Sequence, residues 1–332
     1  MTRRLLWLLP AVLLVVAGIL LWREVRPYRV LPPPPVPPTF RVNTQDLSNP
    51  LRIVAYGDMR FTDPREKDVT NPKVRRWLVE RVANENPDAI LLSGDIPLQG
   101  GNAADYTVYQ SETSTWRDRH LRIYPALGNH EFRGFEKECL ENWWRTFPEL
   151  RGWRYFSVQL GDAIYLLNLD SNSPLTPGSP QIAWLTEQLA RLPATVRFVF
   201  VSLHHPPVAD ASKAGIESHS VRPNEAALAQ FLAAAARNSR ARFIVNAGHI
   251  HNYERFYQDG IVYLVSGGGG AKPVPVEREP KDQYQDGSFP NYHYVKIVIT
   301  GGNLQGVMIR LTDPASDTPS WEEKDRFEVQ AP

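Results

Sequence analysis

Arg242-Phe243-Ile244-Val245-Asn246-Ala247-Gly248-His249-Ile250-His251-Asn252-Tyr253-Glu254-Arg255 is the stretch on which the fold turns. It opens as a β-rich apolar run and breaks at a glycine into two histidines spaced two apart. The same arrangement recurs along the chain. Residues 51–56 run into Gly57-Asp58, residues 89–92 into Ser93-Gly94-Asp95, and residues 122–126 into Gly128-Asn129-His130-Glu131. Residues 164–167 lead to Asn168 and Asp170, residues 197–203 to His204-His205, and residues 261–265 to Ser266 and four glycines. Helical patterns lie between several of these runs. Residues 72–83 place Val74, Trp77, Leu78 and Val82 on one face, with Asn71 as N-cap and Pro72 at the first helical position. Residues 181–191 carry Ile182, Leu185 and Leu189 behind Ser179-Pro180, and residues 225–237 carry Leu228, Phe231, Leu232 and Ala235 with Asn224 as cap. Strands that are apolar nearly throughout, alternating with helices, define an α/β protein with buried sheets. In such folds ligands bind beyond the carboxyl ends of strands, where these polar clusters fall.

The chain has 332 residues, enough for one large domain or two ordinary ones at ~100–200 residues each. Its 42% hydrophobic and 22% charged composition excludes a disordered or collagen-like chain. Thirty-seven basic and 36 acidic residues give a net charge of +1, which argues against a basic nucleic-acid binder. A single cysteine, Cys139, excludes an intrachain disulfide and a cysteine zinc cluster.

The N-terminus accounts for much of the remaining oddity. Leu5 to Trp22 is a run of 18 apolar residues preceded by Arg3 and Arg4. As a helix at ~1.5 Å per residue it would span ~27 Å, close to a bilayer core. Pro10 within it is tolerable in a membrane helix. A cleaved signal peptide is the competing reading, but no small-x-small site follows. Arg3, Arg4 and the terminal amine favour a cytoplasmic N-terminus, and Arg23, Arg26 and Arg29 oppose it. A membrane-anchored chain with an extracytoplasmic catalytic domain is the preferred expectation, and a secreted one if the segment is cleaved. Seven prolines between Pro27 and Pro38 read as a stiff polyproline spacer. Residues 1–38 hold five arginines and one glutamate, so the remainder carries 32 basic and 35 acidic groups, a net of −3. Binding to long nucleic acids is therefore not expected. The expected organisation is an anchor at 1–26, a proline-rich linker at 27–50, a catalytic domain at 51–312 and a C-terminal tail at 313–332. Residues 312–332 read as a surface tail or short edge strand, and residues 273–290 as a loop that could wall the cleft.

Five of the eight histidines lie in strand-end clusters with Asp58, Asp95 and Asn129. Carboxylate, amide and imidazole form a donor set suited to Mn, Fe or Zn. A bridging carboxylate between two partly distinct ligand sets holds two cations ~3.5–4 Å apart, which activates water and clamps a phosphoryl group.

These blocks, in this order, resemble the calcineurin-like metallophosphoesterase superfamily, and the motifs are most similar to its purple acid phosphatase-like branch. Gly248-His249-Ile250-His251-Asn252-Tyr253-Glu254-Arg255 is similar to the GHxHxYER of that branch, and Ser266 to Ala271 is also familiar from it. The resemblance covers roughly residues 51–310. It implies a four-layer α/β/β/α sandwich of two mixed sheets flanked by helices, and two divalent or trivalent metal ions. It also implies a hydrolase that attacks a phosphoester in line with a metal-activated water or hydroxide. Asp58 resembles the first-metal carboxylate and Asp95 the bridging one. Asn129, His204 and His249 match second-metal ligands, and His251 a first-metal ligand. His204 rather than His205 takes this role, being two residues before Pro206, which leaves His205 near the pocket mouth. His130 resembles an outer-sphere general acid. His219 either contacts substrate or is an ordinary surface histidine. The glycine run at 267–270 reads as a tight loop allowing close backbone approach.

One departure stands out. Arg60 occupies the place where many members carry a first-metal histidine, and Leu98 the place where purple acid phosphatases carry a tyrosine. Arginine stays protonated and is a poor ligand. Arg60 either contacts a substrate phosphate oxygen or leaves the first site short of a donor, with Asp63 or another oxygen donor as the candidate to fill it. The expected function is hydrolysis of a small phosphoester. The alternatives are a degenerate metal-binding module of the same fold without turnover, or a small-diester phosphodiesterase.

Overall fold

The computed structural model of the chain describes residues 36–212 and 219–332. The apolar runs assemble into two mixed sheets. The first has seven strands in the spatial order β1 (Thr39–Val42), β5 (Phe156–Leu160), β6 (Ile164–Asn168), β7 (Phe198–Ser202), β9 (Arg242–Ala247), β11 (Ile261–Ser266) and β10 (Tyr253–Gln258). The second has six, ordered β15 (Trp321–Gln330), β14 (Asn303–Leu311), β13 (His293–Thr300), β2 (Leu51–Tyr56), β3 (Ala89–Leu92) and β4 (Ile123–Pro125). β8 (Ala211–Ser212) and β12 (Val276–Glu277) form a small antiparallel ribbon. β2, β3 and β4 run parallel, as do β6, β7, β9 and β11.

β7 shows why its sequence is apolar without alternation. Phe198 and Phe200 face a core shared with Ile53, Ile297 and Leu304 of the other sheet. Val199 and Val201 face the opposite way, against Ile182 and Leu185 of α5 (Pro180–Ala190) and Leu228 and Leu232 of α6 (Pro223–Arg237). Both faces are covered, so both must be apolar. On the six-stranded sheet α1 (Pro72–Asn84) buries Val74, Leu78 and Val82 beside Trp116 of α3 (Ser114–Asp118). The layer order is helix, sheet, sheet, helix. α2 (Ala103–Glu112) and α4 (Glu136–Thr146) complete the helices.

The caps follow local chemistry. Asn71 Oδ1 accepts the Val74 N–H at 3.2 Å, and Ser179 Oγ the Ile182 N–H at 3.3 Å. Asn224 is not the cap of α6, contrary to the sequence reading. The helix begins one residue earlier at Pro223, which fits the first helical position, and Asn224 Oδ1 instead accepts the Leu175 N–H at 2.6 Å.

Two boundaries move outward. Thr39–Val42, placed in the linker at 27–50, pairs in parallel with β5, and the compact unit extends from Pro37 to Pro332. The segment 313–332, read as a tail or a short edge strand, contributes the ten-residue edge strand β15, which pairs with β14 along its length. β1 gains its hydrogen bonds only from a strand over a hundred residues away, and β15 gains its own from the preceding strand across the connection 312–320. Among the described residues no helix is long and apolar enough to cross a membrane. The anchor at 1–26 lies outside the described residues.

Candidate metal centre

The polar residues after the strands converge. Asp58 follows β2, Asp95 follows β3 and Asn129 follows β4; His204 follows β7, and His249 and His251 follow β9. β2 to β4 belong to one sheet, β7 and β9 to the other, so the site forms where the carboxyl ends of both meet. Backbone hydrogen bonds tie the loops together: Asp58 N–H to Gly94 O at 3.0 Å, Gly57 N–H to Ser266 O at 2.8 Å, and Gly248 N–H to His204 O at 2.9 Å. Asp58, Arg60, Asp95 and His249 have φ of 63°, 50°, 54° and 71°. Such left-handed conformations cost ~1–3 kcal/mol each and persist only where the surroundings impose them. The glycine run imposes part of this. A Cβ on Gly267 would meet Ile250 O at 2.1 Å, and one on Gly269 would meet Gly57 O at 2.3 Å, which confirms a tight loop against the site.

Two groups of donors share Asp95. In one, Asn129 Oδ1 lies 3.0 Å from His204 Nε2 and 3.1 Å from His249 Nδ1. These two ring nitrogens are 3.2 Å apart, and Asp95 Oδ1 is 3.3 Å from His204 Nε2. In the other, Asp58 Oδ1 is 3.5 Å from His251 Nε2, and donor atoms of Asp58, Asp95 and His251 all lie within 4.8 Å of one another. Ligand–metal bonds of ~2.0–2.2 Å put neighbouring donors about 3.0–3.4 Å apart; the Asn129 group lies in that range, and the Asp58 group is wider.

The proton positions suit one as well. His204 Nδ1 donates to Ser93 O at 2.8 Å and His251 Nδ1 to Lys272 O at 2.7 Å. Each ring thereby turns an Nε2 lone pair into the site, as carbonyl partners of metal-binding histidines commonly arrange. Asp58 spends Oδ2 on the His249 N–H at 2.9 Å, while its Oδ1 and His251 Nε2 are buried without a hydrogen-bond partner. Burial, reinforced by Asp95, pushes the Asp58 carboxyl up to about 7 against the pull of His204 and Arg60. Burial also opposes charge on Asp95, yet His204, His130 and Arg60 beside it hold its carboxyl well below the usual range. Burial pushes His251 down to about 3, so it is a neutral ligand-ready imidazole. The residues present fit two metal ions.

The remaining site residues surround this pair. His130 is fully buried; its Nδ1 donates to Leu98 O at 2.7 Å and its Nε2 lies 3.6 Å from Asp95 Oδ2. Leu98 thus serves the centre through its carbonyl. Arg60 Nη2 donates to Asp95 Oδ2 at 3.3 Å. Asp63 does not fill the first site: it is ion-paired with Arg65 at the surface. His219 is not a surface residue; 9% exposed, its ring centroid lies 5.1 Å from that of His249 and 5.7 Å from that of His251. His205 is not at the pocket mouth but buried, with Nδ1 against Ser171 Oγ at 2.8 Å and its ring 4.4 Å from His249. The sequence reading assigned no role to Glu131. Its carboxylate accepts the N–H groups of Gly128, Asp95 and Ile96 at 2.7, 3.0 and 2.8 Å, joining the loops after β3 and β4. Its place in the Gly-Asn-His-Glu block was the available signal.

Two stacked mixed sheets with a two-cation donor set at their shared carboxyl ends define a metallophosphoesterase-type fold and site. Residues 51–253 match the calcineurin-like phosphoesterase family, and the chain belongs to it. A phosphoenolpyruvate phosphatase from Allium cepa is 28% identical over 172 residues, 51% of this chain and 31% of that protein. A probable purple acid phosphatase from Arabidopsis thaliana is 26% identical over 252 residues, 70% of this chain and 54% of that protein. The chain therefore spans only about a third to about half of the length of these relatives. The solved purple acid phosphatase from yellow lupin (Lupinus luteus) seeds superposes with a TM-score of 0.66 at 17% identity, covering 84% of this chain and 53% of the lupin chain. It shares the fold.

Proposed function

We propose that the chain is a metal-dependent phosphoesterase acting on small phosphoesters. The observation that carries this reading is the convergence, from five strand ends, of two donor groups that share Asp95. When bound, the two cations supply a nucleophilic hydroxide at neutral pH and polarise the phosphoryl oxygens. Asp95, Asn129, His204 and His249 would hold one, and Asp58, Asp95 and His251 the other. The Ser93 and Lys272 carbonyls keep His204 and His251 in the ligating tautomer. His130 and Arg60 flank Asp95 Oδ2, and a phosphoester held on that side would meet both. With Nδ1 committed to Leu98 O and burial pushing the ring down to about 3, His130 presents a lone pair at Nε2. It becomes a proton donor only when a phosphate dianion raises its affinity for the proton. His219 closes the site from the side of His249 and His251. The test is hydrolysis of an aryl phosphate by the parent, by chelated and dialysed protein, and by His249→Ala; activity persisting in the metal-stripped protein would refute the reading.

The apolar run Leu5–Trp22 and the proline spacer support a membrane-anchored form with the catalytic unit outside the cytoplasm. Fractionation of full-length chain against chain lacking residues 1–38 tests this; recovery of the full-length chain in the soluble cell fraction would refute it.

A further inference from the structure

The two donor groups are not equivalent, and Arg60 is the reason. The Asn129 group offers four protein donors: Asp95 Oδ1, Asn129 Oδ1, His204 Nε2 and His249 Nδ1. The Asp58 group offers three, from Asp58, Asp95 and His251. Asp95 Oδ2, on the His130 side of the carboxylate, already accepts Arg60 Nη2 at 3.3 Å. A guanidinium is a cationic donor with no lone pair to offer a metal. The Arg60 side chain is 14% exposed and Asp95 is fully buried, so little solvent screens it from a cation on the same carboxylate.

Arg60 is also held in place. Its N–H donates to Asp95 O at 2.9 Å, and its carbonyl accepts Arg75 Nη1 at 3.1 Å. Arg75 is itself anchored on Glu112 at 2.9 and 2.7 Å. With φ at 50° and these bonds made, the backbone directs the side chain inward. Asp95 is the carboxylate it pairs with, since Asp63 is taken by Arg65.

We propose that Arg60 makes the centre asymmetric: the Asn129/His204/His249 position holds a divalent cation tightly, while the Asp58/His251 position is a low-affinity, exchangeable cation site filled in proportion to free metal. The proposal rests on the metal-dependent reading above. It makes occupancy of the second position, rather than the fold, the step at which metal supply controls the protein.

The experiment is a titration of the chelated and dialysed full chain with Mn2+, followed by calorimetry and by metal analysis after equilibrium dialysis. The expected result is one equivalent retained and a second bound at least 100-fold more weakly. Arg60→Gln should tighten the second equivalent at least tenfold and leave the first within about twofold. Arg60→Lys, which keeps the charge, should leave the second weak. Two equivalents of equal affinity in the parent would overturn the proposal alone, as would a second equivalent indifferent to Arg60→Gln in a variant with a parental circular dichroism melt. Absence of any bound metal would overturn the metal-dependent reading itself. The parent titration needs no variant to fold, so the inequality is decided in every case.

Discussion

Glu131 offers a stringent test of how the centre is held. Its buried carboxylate accepts three backbone N–H groups, from Gly128, Asp95 and Ile96, at 2.7, 3.0 and 2.8 Å. Glu131→Ala leaves all three donors buried without that partner. Each orphaned group costs ~1–3 kcal/mol, and the cavity left by truncation admits water that lowers the penalty toward the bottom of the range. Loss of a carboxyl that Asp95 repels offsets part of the rest, since burial and Asp95 together push Glu131 up to about 8. The expected net loss is about 3 kcal/mol. Glu131→Gln keeps one acceptor oxygen but sets an amide N–H2 against one donor, for a loss of about 1–2 kcal/mol. Urea unfolding of metal-free protein, followed by fluorescence of its nine tryptophans, measures both. Because Asp95 and Asn129 ride on the pinned loops, metal retained after dialysis should fall in the same order. A Glu131→Ala midpoint matching the parent to within about 0.5 kcal/mol would refute the reasoning.

Two further outcomes follow from buried charge. Arg75 is fully buried and depends on Glu112, so Glu112→Ala should cost about 3 kcal/mol by leaving a buried cation uncompensated; a thermal midpoint equal to the parent's would contradict it. His293 is buried, with Nδ1 toward Asn291 O at 2.9 Å and Nε2 toward Ser266 Oγ at 3.0 Å, and burial pushes it down to about 4. The unfolded chain takes up its proton first, near ~6.5. The stability His293 contributes is thus complete above that pH and is lost as pH falls toward about 4. Between pH 7 and 5 the parent should lose about 2 kcal/mol more than His293→Gln; parallel pH–stability curves would argue against a depressed pKa.

Much of this was legible in the chain. Asp58, Asp95, Asn129, His204, His249 and His251 each follow a recognisable apolar run, because parallel strands end in loops that carry polar side chains to one edge. Asn71 and Ser179 were readable as caps because a cap answers only to residues two or three positions away. α2 and α4 were not read because neither carries an aliphatic stripe: α2 buries Tyr106 and Tyr109 beside the charged Asp105, and α4 buries Cys139, Asn142 and Trp143. β1 and β15 were missed as full strands because their partners lie over a hundred residues and about ten residues away, in registers no local pattern encodes.

The strand–helix alternation, the all-nitrogen-and-oxygen donor set and the order in which the donors arrive are each a property of residue type and local spacing, and so are written in the chain. The tertiary structure alone decided which donors share a cation, that His205 and His219 pack against His249, that Glu131 binds three amides, and that Arg60 rests on Asp95. Those outcomes depend on side-chain direction across the meeting ends of two sheets. That direction is set by left-handed backbone at Asp58, Arg60, Asp95 and His249, and a left-handed conformation at a non-glycine residue is imposed by its surroundings rather than chosen by its sequence.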